Sequence, residues 1–217
     1  MTGYENLIAG YRRFRTGSYR EQRLRYDRLA QGQSPRLMVI ACSDSRVDPT
    51  RVFDAGPGEM FVLRNIANLV PPLREITGQS SVAAAVEYAV TILEVDSILV
   101  FGHARCGGIQ AALAPMHANR FIDRWMDQIA PARDKVLAAH ALSPDVDCQK
   151  ALEQGAVRLS IENLRTYPFV AEAEAAGRLS LYGAIFDIAE GDLRVLDPQD
   201  GVFRPLRVDL DSELIEE

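Results

Sequence analysis

Two short stretches hold the residues able to do chemistry. One is Ala41-Cys42-Ser43-Asp44-Ser45-Arg46, and the other is Gly102-His103-Ala104-Arg105-Cys106-Gly107-Gly108. Two cysteines and one histidine form a zinc set, and in catalytic use that set leaves a fourth position open. His103 and Cys106 are three residues apart, a short chelate able to grip one ion. Cys42 must then come from another element. Asp44 and Arg46 follow Cys42 by two and four residues. An aspartate there can be the fourth ligand, or it can accept a hydrogen bond from a water on the metal. Arg46 would keep that carboxylate ionised and aimed. The bland alternative is two buried cysteines, a core histidine and a structural ion pair. Taken together, the five residues favour a metal. With Asp44 as a permanent ligand the site would be a closed, structural zinc.

Each stretch needs an element to deliver it. Leu37 to Ala41 and Ile98 to Phe101 are wholly apolar, which suits parallel strands covered on both faces. As strands they leave Cys42 and His103 at carboxyl ends, where open α/β sheets collect ligands. Cys106 falls where strand gives way to helix, since Gly107 to Leu113 has helical character. A thiolate is stabilised at such a helix start. Met60 to Arg64 and Leu179 to Ile188 read as further parallel strands. Leu193 to Asp197 reads as a hairpin-linked antiparallel edge strand. Ser81 to Val95 is predicted as a helix, with Val82, Val86, Ala89, Val90 and Leu93 on one face. Pro49 to Phe53 reads as a short helix capped by Asp48. Helical signals dominate from Gly107 to about Gly177, and Val146 to Tyr167 reads as one long helix stopped by Pro168. Met116 to Pro131 is hard to divide. Tyr4 to Phe14 and Tyr19 to Ala30 read as two helices parted by Thr16-Gly17-Ser18.

The fold class predicted is α/β. A central, mostly parallel β-sheet of about four parallel strands plus an antiparallel edge strand is flanked by helices. Residues 1–32 form an N-terminal helical arm, and residues 33–217 a single zinc-binding catalytic domain.

The chain has 217 residues, 47% hydrophobic, with a net charge of −6. That length suits one domain, and the charge argues mildly against a nucleic-acid partner. The charge is unevenly placed: residues 1–36 carry eight arginines against Glu5, Glu21 and Asp27, a net of +5, so the remainder carries −11. Such an arm is either a solvated helical face or a strap on the acidic surface of a second subunit. Two of the three cysteines lie in the metal pattern, which suits a reducing compartment. Cys148 reads as an inert helix residue, and His117 and His140 as surface helix positions. The Gly107-Gly108 pair matches no nucleotide fingerprint. No secretory signal opens the chain and no stretch approaches membrane-spanning length. The expectation is a cytoplasmic protein with neither a nucleic-acid nor a membrane partner. The acidic tail, Asp209 to Glu217, is expected to fray.

Cys-Ser-Asp-Ser-Arg-Val from Cys42, followed by Gly-His-x-x-Cys-Gly-Gly from Gly102, resembles the β-class carbonic anhydrases. The resemblance runs from about Gln33 through Phe186 and includes Pro57 to Asn68. It implies Zn2+ as cofactor and reversible hydration of carbon dioxide to bicarbonate and a proton by zinc-bound hydroxide. It also implies a homodimer or dimer of dimers, joined through the N-terminal arm. It assigns substrate hydrogen bonds to Gln33 and the Gly107 N–H, and an apolar pocket to Phe61, Ile66 and Tyr88. Phe61 and Tyr88 would reach in from the partner. On the bland reading these three are core residues, and Arg64 and Asn65 are surface residues or strand-end ties. Some relatives hold a regulatory bicarbonate with a Trp, an Arg and a Tyr. Here those positions are Val39, Arg64 and Phe186, so the regulatory site is not expected. Two alternatives stay open: a related hydrolase on the same scaffold, such as a carbon disulfide hydrolase, or a non-enzymatic zinc-stabilised protein.

Overall fold

The protein is described by a computed structural model over residues 2–114 and 121–207. Residues 115–120, Met116 and His117 among them, and the acidic tail from Asp209 lie outside the described residues. Within them, six strands make one sheet: β1 (Leu37–Cys42), β2 (Met60–Asn65), β3 (Ser97–His103), β4 (Ser180–Phe186), β5 (Leu193–Leu196) and β6 (Phe203–Pro205). Their order is β2-β1-β3-β4-β5-β6. The first four in that order pair in parallel, and β5 and β6 are antiparallel. The parallel core matches the expectation. β5 is not the edge, because β6 pairs outside it. Three residues ending in a proline give no periodic signal, so the sixth strand was not legible.

The register explains why the site forms where it does. Ala41 stands opposite Phe101, and His103 opposite Phe186. β1 and β3 therefore end side by side, delivering Cys42 and His103 to one edge. Alternate residues of each strand feed opposite layers. Met38 and Ile40 join Ile98, Val100 and Ile185 on one face. Val39 and Ala41 join Phe101 and Ala184 on the other. Burial on both faces is why these strands read as unbroken apolar runs, each large side chain contributing about 1.5–3 kcal/mol.

The helices are α1 (Gly3–Thr16), α2 (Ser18–Glu21), α3 (Arg23–Leu29), α4 (Pro49–Val52), α5 (Ser81–Glu87), α6 (Gly107–Leu113), α7 (Ile122–Met126), α8 (Ala130–Leu142), α9 (Cys148–Leu164) and α10 (Pro168–Ala175). Four expectations are corrected. The second arm helix is broken at Gln22 into α2 and α3. The helix after Ser81 changes pitch at Glu87 and continues as a π-turn over Tyr88–Ile92. Pro168 does not merely stop a helix; it opens α10 at the first-turn position, where a missing N–H costs nothing. His140, expected on the surface, is half-buried and its ring nitrogen bonds the Val146 carbonyl.

α9 lies directly on the sheet because two glycines admit it. A Cβ on Gly102 or on Gly183 would come within 2.9 Å of Val157. The arm is only partly seated on its own body. On α3, Arg25 donates to the Pro57 carbonyl at 2.8 Å and pairs with Glu59. On α1, Tyr4, Leu7 and Tyr11 are 72%, 69% and 59% exposed, and the helix has no buried residue. Among the described residues, no helix is long and apolar enough to cross a membrane.

Candidate active site

Cys42 ends β1, His103 ends β3, and Cys106 caps α6. One donor atom from each lies within 4.8 Å of the other two, and all three residues are buried. The two sulfurs are 3.9 Å apart. Two sulfurs bound tetrahedrally to zinc at about 2.3 Å each would stand about 3.8 Å apart. His103 Nδ1–H donates to the Ala104 carbonyl at 2.9 Å, which fixes the tautomer and leaves a lone pair on Nε2. That Nε2 is buried and, among the described residues, has no hydrogen-bond partner. An orphaned buried acceptor costs about 1–3 kcal/mol, and a metal ion removes the cost. By spacing, tautomer and donor chemistry the three side chains fit zinc.

The peptide groups around the sulfurs favour negative charge. The N–H groups of Asp44 and Ala67 face Cys42, and those of Gly108 and Ile109 face Cys106. Hydrogen bonding from Cys106 lowers the Cys42 thiol against the opposing effect of burial. The same contact, reinforced by burial and by the charge on Cys42, pushes Cys106 up. One thiolate forms readily and the second requires a cation. The Ala67 N–H comes from a turn in which Ala67 and Asn68 both have left-handed backbones, φ 63° and 50°. Neither is glycine, so the conformation is strained.

Asp44 sits over the mouth of this cluster. Its Oδ2 is 3.8 Å from His103 Nε2. Arg46 grips the carboxylate at both oxygens, Nε to Oδ1 at 2.9 Å and Nη2 to Oδ2 at 2.7 Å. The Arg46 backbone N–H adds a third bond at 3.0 Å. The guanidinium holds Asp44 well below the usual carboxylate range. Arg46 also reaches the Arg105 carbonyl at 3.0 Å, tying the two signature stretches together.

Arg64 proves to be a strand-end tie. It donates to the carbonyls of Cys42, Asp44 and Val47 at 2.9, 2.7 and 2.9 Å. Asn65 bonds Leu69 through both its amide nitrogen and its oxygen. The remaining expected substrate residues are placed as follows. Ile66 is 40% exposed and abuts Gly108, next to Cys106. A Cβ on Gly107 would meet open space. Phe61 and Tyr88 stack at 5.8 Å, and Tyr88 is 44% exposed. Gln33 lies exposed in the link before β1. Sequence reasoning missed Glu153 and Gln149 on α9, which grip the Cys106 peptide. Nothing in their helical pattern set them apart.

A two-cysteine, one-histidine metal site at the carboxyl edge of a parallel sheet, with an ionised aspartate beside it, defines a zinc enzyme of the α/β class. The sequence pattern of the carbonic anhydrase family matches residues 37–193. Beta carbonic anhydrase 3 of Arabidopsis thaliana is 39% identical over 205 residues, spanning 91% of this chain and 79% of the relative. The structure of the β-carbonic anhydrase CcaA superposes with a TM-score of 0.88 at 31% identity, covering 94% of this chain and all of the other. A tetrameric β-carbonic anhydrase from Sordaria macrospora gives a TM-score of 0.81 at 29% identity, over 93% of this chain and 98% of the other. The chain belongs to the carbonic anhydrase family, in its β class.

Proposed function

We propose that this chain interconverts carbon dioxide and bicarbonate at the Cys42, His103 and Cys106 site: carbon dioxide and water give bicarbonate and a proton. The observation that carries the reading is the two-point Arg46–Asp44 pair beside His103. Zinc, when bound, acidifies a water molecule, so that a hydroxide nucleophile is available near neutral pH. Asp44, kept ionised and acceptor-only, takes the O–H of the attacking oxygen in a hydrogen bond and turns its lone pair toward carbon. Arg46 fixes the carboxylate for this task. It also occupies both carboxylate oxygens, which favours Asp44 as hydrogen-bond acceptor over fourth ligand. The N–H of Gly107 and the side chain of Gln33 receive the charge that develops on the carbon dioxide oxygens. Ile66 supplies apolar wall, and Phe61 with Tyr88 completes the pocket of a neighbouring subunit.

The exposed apolar stripe of α1 supports assembly as a homodimer or dimer of dimers through the arm. The cysteine usage fits a cytoplasmic setting. The test is stopped-flow hydration of carbon dioxide followed with a pH indicator, run beside hydrolysis of carbon disulfide. Hydration of carbon dioxide is the expected result. Hydrolysis of carbon disulfide without hydration would overturn the reading.

A further inference from the structure

Glu153 is a carboxylate only 6% exposed, on the sheet-facing side of α9. Charges are rarely buried so far without a purpose. Its partners are amide N–H groups rather than a cation. Oε1 accepts from the Cys106 N–H at 3.0 Å and from Gln149 Nε2 at 2.7 Å. The Arg105 N–H also faces the carboxylate. Arg105 has a left-handed backbone, φ 56°, which turns consecutive N–H groups toward one anion. Gln149, one turn before Glu153 on the same helix face, donates as well to the Cys106 carbonyl at 3.1 Å. The N–H and the carbonyl of Cys106, one from each peptide group flanking it, are thus held from one turn of α9.

The rest of the turn is held by other groups. The Ala104 N–H bonds the Phe186 carbonyl at 2.9 Å, and the Ala104 carbonyl takes the His103 Nδ1–H. The Arg105 carbonyl is taken by Arg46. The peptide groups between His103 and Cys106 are therefore fixed, and the pair on α9 fixes the one that carries the Cys106 sulfur. We propose that Glu153, with Gln149, is a positioning residue for the metal site, setting the His103–Cys106 turn so that the Cys106 sulfur points at the ion. The proposal rests on Cys42, His103 and Cys106 being the zinc ligands.

Chemistry explains why a carboxylate stands there. Two donors converge on Oε1 and a third faces the carboxylate, and an ionised oxygen is the stronger acceptor for all of them. Glu153→Gln keeps the side-chain shape but removes the negative charge, leaving a neutral amide oxygen to accept from the Cys106 N–H and Gln149. Zinc transfer to a chelating dye is measured for the wild type, Glu153→Gln, Gln149→Ala and Cys106→Ala. The visible absorption of the cobalt-substituted proteins and the melting of the metal-free proteins are recorded alongside. Glu153→Gln is expected to hold zinc about 10- to 100-fold less tightly, with altered cobalt bands and little change in metal-free melting. Gln149→Ala removes half of the clamp and leaves the carboxylate in place, and should move both readouts the same way by less. It carries the test if Glu153→Gln does not fold. Zinc transfer within twofold of the wild type and unchanged cobalt bands in the folded variants would overturn the proposal. If Cys106→Ala holds zinc as firmly as the wild type, the ligand assignment itself fails, and the proposal with it.

Discussion

Arg64→Ala removes a single side chain that ties three carbonyls of the loop carrying Cys42 and Asp44. The bonds run to Cys42, Asp44 and Val47 at 2.9, 2.7 and 2.9 Å. A hydrogen bond contributes a net of about 1 kcal/mol, so three give about 3 kcal/mol. The longer contact to Asp48, at 3.4 Å with that carboxylate 47% exposed, adds little. Arg64 is itself 28% exposed, so water can satisfy part of what is lost. About 2–3 kcal/mol of destabilisation remains after that discount. For a chain of this length, 1 kcal/mol moves the melting temperature by about 2–4 °C, so a fall of about 4–12 °C is expected. The assay is thermal unfolding at one fixed protein concentration, since assembly makes melting concentration-dependent. Arg64→Lys keeps the charge but offers one compact donor head, and should recover no more than about a third of the loss. A fall of less than about 1 °C, or a lysine variant as stable as the wild type, would refute the reasoning.

Four further outcomes are expected. Hydration should rise through the alkaline range with a midpoint above about 7, because two thiolates cancel the zinc charge and acidify water less than three histidines do. Asp44, held low by Arg46, stays ionised throughout that range, so Asp44→Asn should lower the plateau. A wild-type profile already flat below neutral pH would contradict this. Burial pushes Tyr167 from 10.0 up to about 12, so the folded state holds that proton more tightly than the unfolded chain. The stability this contributes is present below pH 10 and is lost as pH rises toward 12, by at most about 3 kcal/mol. Tyr167→Phe should flatten that alkaline loss, as urea unfolding at several pH values would register. Deleting residues 1–30 should give inactive monomer or aggregate in light scattering, and an active monomer would count against the arm as a dimer strap. Bicarbonate inhibition should be hyperbolic, because Val39 is fully buried, Phe186 has no hydroxyl to offer and Arg64 is committed to carbonyls. A sigmoidal curve would show a regulatory site after all.

Much of the site could be read from the sequence because local chemistry fixes it. Apolar runs buried on both faces mark β1 and β3, and the ligands stand at their ends. Asp44 and Arg46 are close in the chain, so their pairing needs no tertiary knowledge. What could not be read depends on long-range placement. Glu153 and Gln149 look like an ordinary polar i, i+4 pair until α9 settles over Gly102 and Gly183, buries Glu153 and brings both to Cys106. Arg64 was undecided because its partners are carbonyls, which no side-chain pattern reveals. The π-turn at Tyr88 and the break at Gln22 leave no mark in helical periodicity. β6 is too short to carry one.

Metal content and carbon dioxide hydration, measured on one purified preparation of the wild type and of His103→Ala, test the central claim most directly. The wild type is expected to carry about one zinc per chain and to hydrate carbon dioxide, and His103→Ala to lose both. A wild type that hydrates carbon dioxide without zinc, or a His103→Ala protein that keeps its zinc and its full rate, would contradict the account.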